Sequence, residues 1–146
     1  MILVDANILI YAFDVDSPQH GPAHTWLEGS LNAATRVALP WPSLLAFLRI
    51  ATNPRVMQRP ASMAAARAQA RSWLACPAVW IPLPGERHAE ILDGLLAAPG
   101  VHGNLVMDSH IAALAIEHGL QVYSTDSDFA RFPNLRWINP LSDKPA

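Results

Sequence analysis

The chain has 146 residues, a formal net charge of −2 and a pI near 6.3, with 51% hydrophobic and 15% charged residues. That balance describes one globular domain over residues 1–146, able to bury roughly 70% of its unfolded surface, and it excludes a disordered chain, a coiled coil and a basic non-specific nucleic-acid binder. The one cysteine, Cys76, excludes an internal disulfide and a cysteine-based zinc site, and the one lysine, Lys144, leaves the body without a phosphate-loop, Schiff-base or phospho-receiver lysine.

In chain order, ILV reads as a short buried strand, ended by Asp-Ala-Asn where a loop opens. Asp5 interrupts the apolar start, so no secretory signal and no membrane span is expected, and the protein reads as cytoplasmic. After the polar FDVDSPQ, the segment HGPAHTWLEGSL places Trp26, Leu27 and Leu31 on one helical face. VALP follows as a second strand. Pro42 suits the first turn of a helix through SLLAFLRIAT, which Asn53-Pro54 stops. The alanine-rich SMAAARAQARSWLA is helical with Ser62 as its cap. VWIPL is a third strand, ERHAEILDGLLAA a helix, and LVMDSHIAALAIEHG a helix closed by Gly119. QVYS is a fourth strand and LRWI a fifth; the tail LSDKPA carries no element. Strands alternating with helices predict an α/β domain with a mostly parallel sheet, whose ligands bind beyond the carboxyl ends of the strands.

Acids stand at those ends. Asp5 follows the first strand, Asp126 and Asp128 follow the fourth in YSTDSDF, and Asp108 opens the helix after Gly103. Each alone fits a turn or a cap, with Asp128 capping FARF. Together on one sheet edge they repel unless they share a cation, and Mg²⁺ or Mn²⁺ suits a set without His or Cys. Asn7 is placed to orient Asp5, while Ser124 and Thr125 are either turn hydroxyls or donors to a bound water or phosphate.

MILVDANILIYAFD, NLVMDSHIAALAIEHG and STDSDFARFP, in that order, resemble the three signature regions of PIN-domain ribonucleases, in particular the VapC toxins of bacterial type II toxin–antitoxin pairs. The resemblance implies a three-layer α/β/α sandwich with a sheet of four to five strands. It also implies Mg²⁺-dependent RNA cleavage, with Mn²⁺ as a substitute, and tight binding by a small VapB-type antitoxin, through which DNA is reached indirectly. A homodimer is expected on the same ground. By the resemblance Asp5, Asp108 and Asp126 are the catalytic metal ligands, and Asp128 is the second acid of the last motif, more often a structural cap.

The family's glutamate in a pattern like L-A-E-hydrophobic-L-R is missing, for Ala46 stands at its place in SLLAFLRIAT, with Ser43 one turn earlier able to hold a water. Two readings follow: an endoribonuclease using a metal-activated water, or a catalytically weakened PIN domain that acts by binding its antitoxin. A dehalogenase-like phosphatase would need D-x-D after the first strand, where this chain has D-A-N. Candidate RNA contacts are Arg55 and Arg59 in the loop after the Pro42 helix, and Arg67 and Arg71 four apart on the next one. His20 and His24 are disfavoured as a metal pair by Gly21 and Pro22 between them. His102, His110 and His118 read as loop or surface residues, His110 being close in sequence to Asp108.

Overall fold

The computed structural model describes residues 1–142, so most of the expected tail, Lys144 included, lies outside the described residues. The elements run β1 (Ile2–Val4), α1 (Ala6–Phe13), α2 (His20–Leu31), β2 (Val37–Ala38), α3 (Trp41–Ala51), α4 (Met63–Leu74), β3 (Val79–Trp80), α5 (His88–Leu96), α6 (Leu105–His118), β4 (Gln121–Tyr123), a 3₁₀ turn (Ser127–Arg131) and β5 (Trp137–Ile138). The strands form one sheet of order β3-β2-β1-β4-β5, every pair parallel. Parallel strands need a crossover, and the helices supply it.

Side chains alternate across the sheet, as strand geometry requires. Ile2 and Val4 join the core under α1 to α4, while Leu3 joins the one under α5 and α6. Phe47 of α3 anchors the first core, fully buried, with its ring 5.3 Å from Phe13 and 4.8 Å from Trp73 in edge-on contacts. Ala112, Ala113 and Ala115 let α6 lie close on the second. Gly119 ends α6 at φ 68°, a left-handed cap that glycine adopts at no steric cost.

One segment departs from the sequence reading. No loop opens after β1, for Asp5 caps α1 directly and the chain stays helical to Phe13. The apolar run ILIYAF lacks polar positions in its middle, so its period did not announce a helix; burial of Ile8, Leu9 and Ala12 decides it. The strand order reverses direction between β1 and β4, and a crevice opens at that switch.

Truncation of Phe47 to alanine is expected to cost about 3–5 kcal/mol of stability, measured by urea unfolding; a loss below about 1 kcal/mol would contradict its role as the anchor of that core.

Candidate active site

Three helix N-termini meet at the switch point. Asp5 caps α1, its Oδ1 accepting from the Ala6 N–H at 2.8 Å. Asp126 caps the 3₁₀ turn, its Oδ1 accepting from the Asp128 N–H at 2.9 Å. Asp108 lies in the first turn of α6. Each carboxylate thus faces the positive end of a helix or turn, which favours its charged form.

Ser124, fully buried after β4, ties the junctions together. Its Oγ donates to Asp5 Oδ2 at 2.8 Å and accepts from Asn7 Nδ2 at 3.0 Å and from the Asp126 N–H at 3.0 Å. Asn7 Oδ1 in turn accepts from the Thr125 N–H at 3.4 Å. Of the two hydroxyls weighed from sequence, Ser124 is therefore the hub. Thr125 contributes its backbone to Asn7.

Carboxylate oxygens of Asp108, Asp126 and Asp128 lie within 4.8 Å of one another. Asp5 does not join that trio at this spacing, yet its charge is felt at Asp108. Desolvation foremost, then the charges of Asp5, Asp126 and Asp128, push the Asp108 carboxyl up to about 6, with Arg131 opposing. Burial also raises Asp5, against the lowering effect of the Ser124 and Ala6 hydrogen bonds, and Asp126 adds to the rise. Such a group is short of positive charge. Among the described residues its cationic contact is Arg131, 3.6 Å from Asp128. An all-oxygen donor set with unneutralised charge fits a hard divalent cation.

The cap after β4 is Asp126, where the sequence reading placed it at Asp128. The 3₁₀ turn starts at Ser127, two residues earlier than a cap at Asp128 requires, and Asp128 is left to pair with Arg131 inside it.

Beside the acids, a cleft of about 760 Å³ runs between α3 and α6, lined by Asp5, Asn7, Ser43, Ala46, Arg49, Asp108 and His110 among apolar neighbours.

The PIN domain family matches residues 2–135 of the chain. The chain belongs to the PIN domain family. It is 46% identical to Ribonuclease VapC37 of Mycobacterium tuberculosis over 140 residues, 96% of this chain and 97% of that one. To Ribonuclease VapC33 of the same organism it is 43% identical over 143 residues, 98% and 100% of the two chains. Among solved structures, Mycobacterium tuberculosis VapC20, described as a toxin cleaving the sarcin-ricin loop, superposes with a TM-score of 0.67 at 19% identity, covering 93% of this chain and 99% of that one. VapBC2 from Rickettsia felis, bound to a promoter DNA fragment, also gives 0.67 at 19% identity, covering 95% and 98%. These structures share the fold.

Within this PIN domain, Ala46 faces the cleft that Asp5 and Asp108 line, so α3 brings a methyl group and no carboxylate to it. Ser43 is buried at 1% exposure with its Oγ unpartnered. Arg55, Arg59, Arg67 and Arg71 are not among the cleft's lining residues. Arg59 is bound instead to Asp16 through a bidentate ion pair, with Nε 2.8 Å from Oδ2. The arginine that lines the cleft is Arg49, one helical turn beyond Ala46, and that i, i+3 spacing was the available signal. His110, read from sequence as a surface residue, is half-buried and lines the cleft too.

An acid whose folded pKa lies above its unfolded value contributes stability that is fully present below the unfolded value and is lost as pH rises through the folded pKa. For Asp108 the window runs from 3.8 to about 6. Metal-free protein should therefore lose stability across it, whereas Asp108→Asn cannot ionise. Thermal unfolding in EDTA should find the variant more stable at neutral pH by ~1 kcal/mol, the shift being discounted for screening of a half-exposed group. The gap should close by about pH 4; equal midpoints at neutral pH would contradict the charge crowding.

Proposed function

We propose that this chain is a divalent-metal-dependent endoribonuclease of the VapC type, the toxin of a toxin–antitoxin pair held in check by a VapB-type antitoxin and acting in the cytoplasm as a homodimer. The observation that carries the reading is the convergence of Asp108, Asp126 and Asp128 to within 4.8 Å at the sheet's switch point, in a chain 46% identical to a ribonuclease. Rickettsia felis VapBC2, solved as a toxin–antitoxin complex on promoter DNA, supports the partner and an indirect route to DNA.

Asp108 and Asp126 would hold Mg²⁺, or Mn²⁺ in its place, with Asp5 beside them. A cation held there would neutralise a phosphate oxygen and lower the pKa of a water. The protein's own part is positional. Ser124 and the Ala6 N–H fix the Asp5 carboxylate, so it can orient a water or complete the ligand set. Asp126 spends one oxygen on the Asp128 N–H and keeps the other free. Arg49 offers a cation to an RNA phosphate along the cleft. Because a water and not the ribose 2′-hydroxyl attacks, the cut leaves a 5′-phosphate and a 3′-hydroxyl.

The second reading, a domain that mainly binds its antitoxin, is favoured by Ala46, which leaves the cleft one carboxylate poorer on the α3 side.

Incubating a pool of tRNA and ribosomal RNA with the purified chain tests both. Discrete products with 5′-phosphates should appear with Mg²⁺ or Mn²⁺, vanish in EDTA, and fall by at least about 100-fold in Asp5→Asn and Asp108→Asn. A folded wild type that binds neither metal nor cuts RNA, but gains Mn²⁺ binding on Ala46→Glu, would instead support the binding-only reading.

A further inference from the structure

The cleft extends beyond the acids. Met107, Asp108, His110 and Ile111 of α6 line it, and at about 100° per residue Asp108 and His110 fall on opposite edges of that face. Something other than the acid cluster holds His110. Its Nδ1 lies 3.0 Å from Nε2 of His88, on the neighbouring α5. The His88 side chain is 10% exposed, and its Nδ1 is buried without a hydrogen-bond partner. Facing that atom at 4.0 Å is Oε1 of Glu117.

Glu117 is itself held by two backbone donors, the Gly85 N–H at 2.7 Å and the Arg87 N–H at 2.9 Å. A Cβ at Gly85 would stand 2.6 Å from Glu117 Oε2, so the loop before α5 is shaped around this carboxylate. Its negative charge, 4.0 Å from His88 Nδ1, favours the tautomer protonated at that atom. In that tautomer His88 Nε2 accepts from the His110 Nδ1–H, which leaves His110, a residue of the cleft wall, with Nε2 as an acceptor. An acceptor repels phosphate oxygens. It pairs with an N–H or O–H.

Trp41, at the start of α3, lines the same cleft and is 46% exposed. An exposed indole over an apolar floor is the composition of a base-stacking platform. Arg49 supplies the cation that RNA phosphates require there.

We propose that this part of the cleft is a nucleotide subsite, in which Trp41 stacks a base of single-stranded RNA beside the cut and His110 Nε2 accepts a hydrogen bond from that nucleotide. His88 and Glu117 are positioning residues. The subsite deepens the ribonuclease reading above and rests on it for its substrate class.

The test is fluorescence anisotropy of a labelled mixed-sequence single-stranded RNA, with Ca²⁺ replacing Mg²⁺, together with cut-site mapping in a random-sequence RNA pool. Trp41→Ala should weaken RNA binding about tenfold or more, the worth of one stacked base, and leave Mn²⁺ affinity unchanged. His110→Ala should flatten the nucleotide preference beside the cut. His110→Gln, which keeps an acceptor, should restore part of it, and Glu117→Gln should lose part of it without contacting RNA. A 2′-deoxy substitution and a base exchange at the preferred nucleotide then tell a sugar O–H from a base N–H. Wild-type RNA affinity and preference in both Trp41→Ala and His110→Ala would overturn the subsite. Loss of binding to the VapB-type antitoxin with RNA affinity intact would overturn it too, by assigning the cleft to a protein. The binding arm needs no turnover, so a wild type that binds RNA through these residues but cuts none sinks the nuclease reading and leaves the subsite standing.

Discussion

The site depends on one hydrogen bond, from Ser124 Oγ to Asp5. β1 and β4 are parallel neighbours, so no tight turn joins them, and 119 residues separate the two partners. The same hydroxyl accepts from Asn7 on one side and from the Asp126 N–H on the other. It therefore fixes the start of α1 against the start of the 3₁₀ turn, and with them the spacing of Asp5 and Asp126. The oxygen is fully buried, in a place where an unsatisfied partner would cost about 1–3 kcal/mol. Little freedom is left for those carboxylates to drift apart, although their charges push them that way.

That conflict links packing to function. Desolvation and crowding raise Asp108 and Asp5, and the Ser124 hydrogen bond, Arg131 and the helix N-termini oppose the rise. Crowded, desolvated carboxylates with raised pKa values are the pattern that functional sites tend to show. The adjoining cleft is apolar over most of its wall away from Asp5 and Asp108, with Asn7, Ser43, Arg49 and His110 as its other polar points. Charge at one end and stacking surface at the other suit a polymer that presents both phosphates and bases.

Much of the sheet was legible because buried parallel strands are short apolar runs, and ILV, VALP and VWIPL have that form, each ended by an acid or a proline. The acids stood out only as a set, since each alone fits a turn or a cap. Whether Asp126 or Asp128 forms the cap was not legible, because a two-residue shift of the 3₁₀ turn exchanges them. α1 was hidden by a segment too apolar to show a period. The arginines misled for want of a third dimension: Arg59 is spent on Asp16, 43 residues away in sequence, while Arg49 sits on the face that Ala46 had already marked. His88, His110 and Glu117 come together only through the packing of α5 on α6 and the Gly85 loop, which no local spacing encodes.

Anomalous diffraction from crystals grown with Mn²⁺ tests the central claim most directly, because it locates a cation without reference to any RNA. The account predicts a peak within about 2.0–2.2 Å of oxygens from Asp108 and Asp126, with Asp5 oriented toward it by Ser124. Strong Mn²⁺ peaks elsewhere with none between those carboxylates, in a crystal whose Asp108 is ionised, would contradict it.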